Sequence, residues 1–198
     1  MHTTTTTRAL AVAAALTLGL TLAGCSTGNS GSDTGSSSSA SSTSAAAAHN
    51  RQDVTFAQMM LPHHEQAVSM SDTLLAKGSG VDTDVAALAK QITAEQSPEI
   101  EQLTSWLRAW GEPTEMPSMS GMSGMMSDSD MRDLDQASAK DAGKLYLEQM
   151  IQHHEGAVEM AKTEVEKGEN TDAVKLAKSI VSSQTEQIQQ MQDMLASR

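Results

Sequence analysis

FAQMMLPHHEQAVSM occupies residues 56–70, and YLEQMIQHHEGAVEM occupies residues 146–160. At one constant offset the two stretches share an aromatic residue (Phe56, Tyr146), a methionine (Met60, Met150) and an adjacent histidine pair (His63-His64, His153-His154). Glu65/Glu155, Ala67/Ala157, Val68/Val158 and Met70/Met160 also recur. Four of the six histidines of the chain lie in these stretches. At about 100° per residue, Phe56, Met60, His63, Ala67, Met70 and Leu74 fall within roughly 80° of one another, one face of an amphipathic helix. On that helix His63 and His153 lie on the core-facing seam. His64 and His154 lie about 100° further round, toward its rim. Glu65 and Glu155 point away, to a solvated face.

The duplication runs beyond the histidines. Leu88-Ala89-Lys90 with Ile92 returns as Leu176-Ala177-Lys178 with Ile180, and Gln96 with Ile100 returns as Gln184 with Ile188. The offset is two residues shorter here, which places a two-residue deletion in the second interhelix loop. A first helix is predicted over about 51–77, N-capped by Asn50 with Asp53 three residues on and stopped at Gly78-Ser79-Gly80. Pro62 lies inside it and predicts a kink. The second runs from Thr83-Asp84 to Trp110, with a bend at Ser97-Pro98 and an end at Gly111 and Pro113. A short helix is expected over about 128–136. A third long helix follows over about 139–167, behind Ser138 and Asp141, and a fourth begins at Thr171-Asp172. One helical hairpin cannot bury its apolar face, and two make an all-α four-helix bundle. The Met-rich segment between them serves either a crossover or an up-down connection.

The N-terminal quarter has another character. Residues 1–24 carry Arg8 as their only charge and an apolar run that ends in Leu22-Ala23-Gly24-Cys25, which reads as a signal peptide closed by a bacterial lipobox. Cys25, the only cysteine, is then the lipidated first residue of a protein anchored on the outer face of the cell membrane. Residues 25–49, rich in Ser, Gly and Ala, form a flexible tether. The bundle takes 50–198: a first repeat 50–111, the Met-rich loop 112–127 and a second repeat 128–198. Loss of the signal peptide removes one of 13 basic residues and leaves 25 acidic ones, a formal charge of −13. No basic cluster is present, which argues against nucleic acid and against a polybasic membrane patch.

A lone cysteine allows neither an intrachain disulfide nor a thiolate metal site. Imidazole suits Cu, Zn, Fe and Ni, and thioether sulfur favours Cu(I), so Met and His without Cys point to copper, with silver behaving alike. The candidate ligands are Met60, His63, His64 and Met70 with Met150, His153, His154 and Met160. Each residue taken singly also reads as an ordinary core filler, since Met packs irregular cores. Two adjacent imidazoles on the apolar side in both copies favour metal, because unpartnered buried imidazoles cost free energy. In the loop Met116, Met119, Met122 and Met125 recur every third residue with Met126 beside them, an auxiliary set that reads as an exposed Cu(I)-capture arm or as compositional drift.

At these residues the chain resembles the DUF305 family, exported bacterial proteins marked by a Met-x-x-His-His-x-x-Ala-x-x-Met helix, usually in two copies around a Met/Gly-rich linker. The match covers about residues 53–195. The resemblance implies a ferritin-like bundle, a link to copper handling in the cell envelope for some members, and ligation by the eight Met and His residues named above. Pro62, and Ser71 where the second copy has Ala161, depart from the pattern. The resulting expectation is a non-enzymatic copper-binding lipoprotein. A metal-free interaction bundle is the alternative. A di-iron oxidase fits less well, because Met60 and Met150 stand where a Glu-x-x-His motif needs carboxylates, and Glu95 and Glu99 have only Ser183 and Gln187 as repeat partners.

Overall fold

The structure, a computed structural model, describes residues 48–115 and 122–197. The signal peptide, Cys25, nearly all of the tether, Met116 and Met119 lie outside the described residues. The described residues form five α-helices: α1 (Arg51–Leu75), α2 (Thr83–Trp110), α3 (Asp128–Gln136), α4 (Ala139–Lys167) and α5 (Thr171–Ala196). Each long helix begins where a side chain takes up orphan N–H groups. Asn50 accepts from Gln52 and Asp53, Asp82 from Asp84 and Val85, Ser138 from Asp141, and Asn170 from Asp172 and Ala173. α1 runs unbroken through Pro62 and α2 through Pro98. α1 ends two residues earlier than the sequence suggests, and order starts before Asn50. His49 stacks on Trp110 with ring centroids 4.6 Å apart, and the Ala48 carbonyl accepts from Asn170. Among the described residues no helix is long and apolar enough to cross a membrane.

The contacts settle the topology. α1 pairs with α2 and α4 with α5, and the two hairpins meet chiefly through α1 and α4. The start of α1 meets the end of α4, because Asn50 donates to the Lys167 carbonyl and Asp53 accepts from Glu169 and Asn170. At the other end Lys77 reaches the Asp135 and Ala137 carbonyls beside the start of α4. α1 and α4 are therefore antiparallel, α2 and α4 point the same way, and the connection from Gly111 to Ser138 must travel the length of the bundle. That is the crossover choice, with one long connection as in ferritin-like bundles.

The crossover is pinned to the bundle at its waist. Gln66 holds the Met126 backbone from both sides, by Nε2–H to the carbonyl and by Oε1 from the N–H. Ser123 lies against Gly156, where a Cβ would sit 2.2 Å from the Ser123 oxygen, and Gly124 turns there with φ +81°. Gln66 and Gly156 occupy the same repeat position, so this break in the repeat is what the single strap demands. The loop is thus no free arm over residues 122–126. Met126 is buried in the core, and Met122 and Met125 are half-buried.

Two further breaks in the repeat are local. Tyr146 stands where the first copy has Phe56, and Ser71 where the second has Ala161. Ser71 Oγ lies 2.8 Å from the Tyr146 hydroxyl and donates to the Ala67 carbonyl, so Ser71 satisfies the one hydroxyl that the aromatic exchange buries. Glu164 stands where the first copy has the buried Leu74. It is fully buried beside Asp53 at the α1–α4 end contact. Burial first, then the hydrogen bond and charge of Asp53, push the Glu164 carboxyl up to about 8. Burial also pushes Asp53 up. The opposing hydrogen bonds from Glu164 and from the Asn50, Asn170 and Glu169 backbones outweigh it and hold Asp53 below the usual carboxylate range. Neither Glu164 oxygen has a hydrogen bond of full geometry.

Two outcomes follow for stability. Ser71→Ala should cost about 1–3 kcal/mol, because it strands the buried Tyr146 hydroxyl, and adding Tyr146→Phe should recover most of it. Urea unfolding of the four-member cycle measures this. For Glu164 the unfolded carboxyl ionises near 4.5 and the folded one near 8. The folded state therefore holds the extra proton in between, and stability falls as pH rises through that window and levels above it. Glu164→Gln should remove this decline, seen as a stability gain over the parent that grows from pH 5 to pH 8.

Candidate metal centre

The interior divides into two apolar clusters with a polar waist between them. One cluster gathers Met70, Leu74, Leu88, Ile92, Tyr146, Met150 and Met191. The other gathers Phe56, Met60, Leu61, Leu103, Leu107, Ala157 and Ile180. Between them the mid-helix residues are His63 and His64 on α1, Gln96 on α2, His153 and His154 on α4, and Gln184 and Gln187 on α5. All are buried, and the four imidazoles are 0–1% exposed. His63 and His153 face one another across the α1–α4 seam with ring centroids 3.7 Å apart and planes tilted by 40°. His153 and His154 are 6.3 Å apart, centroid to centroid.

The outer histidines reach the flanking helices. His64 Nε2 lies 2.7 Å from Glu99 Oε2 on α2, and His154 Nε2 lies 2.8 Å from Gln187 Oε1 on α5. Glu99 and Gln187 occupy the same place in the duplicated hairpin, so the two contacts are copies of one arrangement. Gln187 Nε2 donates in turn to Glu95 Oε2 at 2.8 Å. The expectation that His64 and His154 sit at a rim is corrected. Both are fully buried, because the neighbouring helix of each hairpin closes over them.

Six ring nitrogens in this waist have no hydrogen bond of good geometry: both of His63, both of His153, and Nδ1 of His64 and His154. Both amide atoms of Gln96 and the amide oxygen of Gln184 are equally unpartnered. Burial strongly disfavours protonation here. It lowers His63 to about 3, helped by the neighbouring His64 and His154, with the Ser123 backbone weakly opposing. Burial and the surrounding imidazoles hold His153 well below the ordinary range. Burial brings His154 to about 4 against the favourable contact with Gln187. At neutral pH these three rings are neutral and carry lone pairs, the form in which imidazole ligates metals.

Of the predicted ligands, Met60, Met70 and Met150 are fully buried beside the waist. Met160 is half-buried and lines a groove of about 320 Å³ with Met59, Phe56, Ser123 and Glu159. Each apolar cluster holds one of these methionines from each repeat: Met70 with Met150, and Met60 with Met160. Glu65 and Glu155 are exposed, as the helical phase required. Among the described residues no group of three or more His, Cys, Asp or Glu side chains is already arranged to hold an ion. The donor set nevertheless fits a borderline or soft metal, with lone pairs stranded in a dry interior beside thioether sulfurs and no carboxylate cage. Gln96, Gln184, Gln187, Glu95 and Glu99 were missed as parts of this layer. The recurrence of Gln96 as Gln184 in the midst of an apolar face was the available signal.

A bundle of two repeated hairpins with a buried tetrad of histidines at its waist defines the class. The chain belongs to the DUF305 family, a domain of unknown function, which it matches over residues 53–195. It is similar to the crystal structure of a DUF305 protein from Streptomyces coelicolor described as secreted. That likeness has 36% identity and a TM-score of 0.69 over 74% of this chain and 91% of that one. It is also similar to a DUF305 fragment from Deinococcus radiodurans, with 30% identity and a TM-score of 0.69 over 75% and 98% of the two chains. CopM in its Cu(I)-bound form shares 29% identity at a TM-score of 0.62 over 73% and 96%; Cu(II)-bound and Ag-bound forms of CopM match as well. A comparison with curated proteins finds no significant match.

Replacing the facing pair by hydrocarbon tests what the unpartnered nitrogens cost. His63→Leu/His153→Leu should raise the stability of the metal-free protein at pH 7 by about 1–3 kcal/mol, since buried polar atoms without partners are removed. These imidazoles titrate lower folded than unfolded. Their contribution is fully present above about 6.5 and is lost as pH falls toward their depressed values. The variant should therefore also lose less stability than the parent between pH 6.5 and pH 4, measured by urea unfolding at each pH.

Proposed function

We propose that this chain binds copper, as Cu(I) or Cu(II), and accepts silver in its place, through the histidine tetrad and neighbouring methionines. Its role is to buffer or pass copper outside the cell membrane, without catalysis. The observation that carries this reading is the layer of four fully buried imidazoles with six unpartnered ring nitrogens. A fold under selection for stability alone would replace such a layer with hydrocarbon, as it does on either side. His63, His64, His153 and His154 are the proposed nitrogen donors, and the buried Met60, Met70 and Met150 the proposed sulfur donors. Met160, on its groove, and the strap methionines Met122 and Met125 serve as outer sites, with Met116 and Met119 in the adjoining segment and Met126 buried beside them. The rings must turn from their present stacking to share an ion, so loading includes a change of side-chain rotamer.

CopM, with copper or silver bound, lends support as a relative of this fold. The lipobox at Cys25 and the secreted relative support an extracytoplasmic protein carried on a lipid anchor. The di-iron alternative has no support from the waist, where Glu99 and Glu95 are engaged with His64 and Gln187. Titration with Cu(I) and Ag(I), followed by metal analysis, tests the reading. The parent should bind at least one ion tightly. His63→Ala/His153→Ala should weaken that site by 100-fold or more, on the order of 3 kcal/mol. Replacing Met122 and Met125 should remove only weaker binding. No copper or silver bound by the parent, or binding unchanged in the histidine variant, overturns the proposal.

A further inference from the structure

We infer that Glu99, and Gln187 held by Glu95, fix His64 and His154 as Nε2–H tautomers and so reserve Nδ1 of each ring as its metal-donor atom. This rests on the copper reading for the ligand and on the contacts alone for the tautomers.

Glu99 is a carboxylate and can only accept, so at 2.7 Å the His64 Nε2 must carry the hydrogen. On the other hairpin the argument has one more link. Glu95 is also a carboxylate, so the Gln187 atom 2.8 Å from it is the amide nitrogen, which donates. The Gln187 oxygen is then the atom turned inward, 2.8 Å from His154 Nε2, and that nitrogen must donate. In its neutral, ligating form an imidazole has one N–H and one lone pair, so in that form the lone pair of each ring lies on Nδ1. Those two Nδ1 atoms are among the buried nitrogens with no partner. Glu99 and Glu95 are half-buried, and Glu95 lines a small groove between α2 and α5 with Glu186 and Ser183, so both chains of contacts run from the waist to the protein surface.

Outer partners of this kind orient a ligating ring and raise its basicity, and their loss costs about 10- to 100-fold in metal affinity. The two arms differ in one respect. His64 donates to a charged group directly, whereas His154 meets its carboxylate through a neutral amide. His64 should therefore be the stronger donor of the pair. Glu95, Glu99 and Gln187 are positioning residues and do not touch the ion.

Two-bond 1H–15N correlation spectra of the imidazoles in the metal-free full-length chain at pH 7 decide the assignment. His64 and His154 should each show an unprotonated Nδ1 and a protonated Nε2; the reverse tautomer at either ring overturns the inference for that arm. Glu95→Leu should convert His154 to a tautomer mixture while leaving the His64 signals in place, and Glu99→Leu should do the opposite. A purely structural role predicts no such selective exchange. Added Ag(I) should shift the Nδ1 resonances of both rings, and each variant should weaken Ag(I) binding by about 10- to 100-fold. A shift confined to Nε2 overturns the donor assignment. If Ag(I) moves no imidazole resonance at all, the copper reading fails, while the metal-free spectra still decide the tautomers.

Discussion

Four imidazoles held out of water at mid-height of a helical bundle set the terms for everything around them. Their nitrogens cannot be hydrated, and only two of the eight find a side-chain partner, at Glu99 and Gln187. Such a layer persists only if hydrocarbon packing above and below outweighs its cost. The two apolar clusters provide that packing, each with buried residues from all four long helices. The same burial disfavours protonation of His63, His153 and His154 and places lone pairs in a low-dielectric space. A structural liability of the apo protein is thus the property that a soft metal site needs.

The duplicated hairpin explains how the layer is built with so little sequence. A histidine pair on one helix of each copy, joined to one polar residue on the other, is set down twice and closed face to face across the α1–α4 seam. Departures from the repeat are where the two halves must do different things. Gln66 and Gly156 differ because one strap crosses both, and Ser71 with Ala161 follows Tyr146 with Phe56. Glu164 replaces the leucine of the first copy where the end of α4 meets the start of α1, and there it lies buried beside Asp53. Glu99 and Gln187 give the two outer imidazoles partners of different charge.

The fold was largely legible from residue order. The helix caps at Asn50 and Ser138, the start of the second helix at Thr83, the core positions from Phe56 to Leu74 and the stop near Gly78 follow from local rules that tertiary contacts did not override. The histidine pairs stood out because repetition singled them out, and the structure brings them together at the waist. The role of the crossover was not. A Met, Ser and Gly composition reads as free loop, and nothing local reveals that Gln66, 60 residues away, would clamp Met126. Met160 was placed among the ligands by its likeness to Met70, yet it lines an outer groove, because the strap and Gly156 break the symmetry on its side of the bundle.

By itself the sequence determined the all-helical class, the doubled hairpin, the phase that turns His63 and His153 inward, and the nitrogen and thioether groups that stand as candidate donors. These depend on spacing along single helices, which the chain states directly. Only the tertiary structure decided the direction of the second hairpin, and with it the crossover and the facing of His63 on His153 at 3.7 Å. It also decided that His64 and His154 are buried and oriented by Glu99 and Gln187. Those contacts lie 33 to 35 residues apart, across helix pairs whose rotation about their axes is set by packing, not by any local signal.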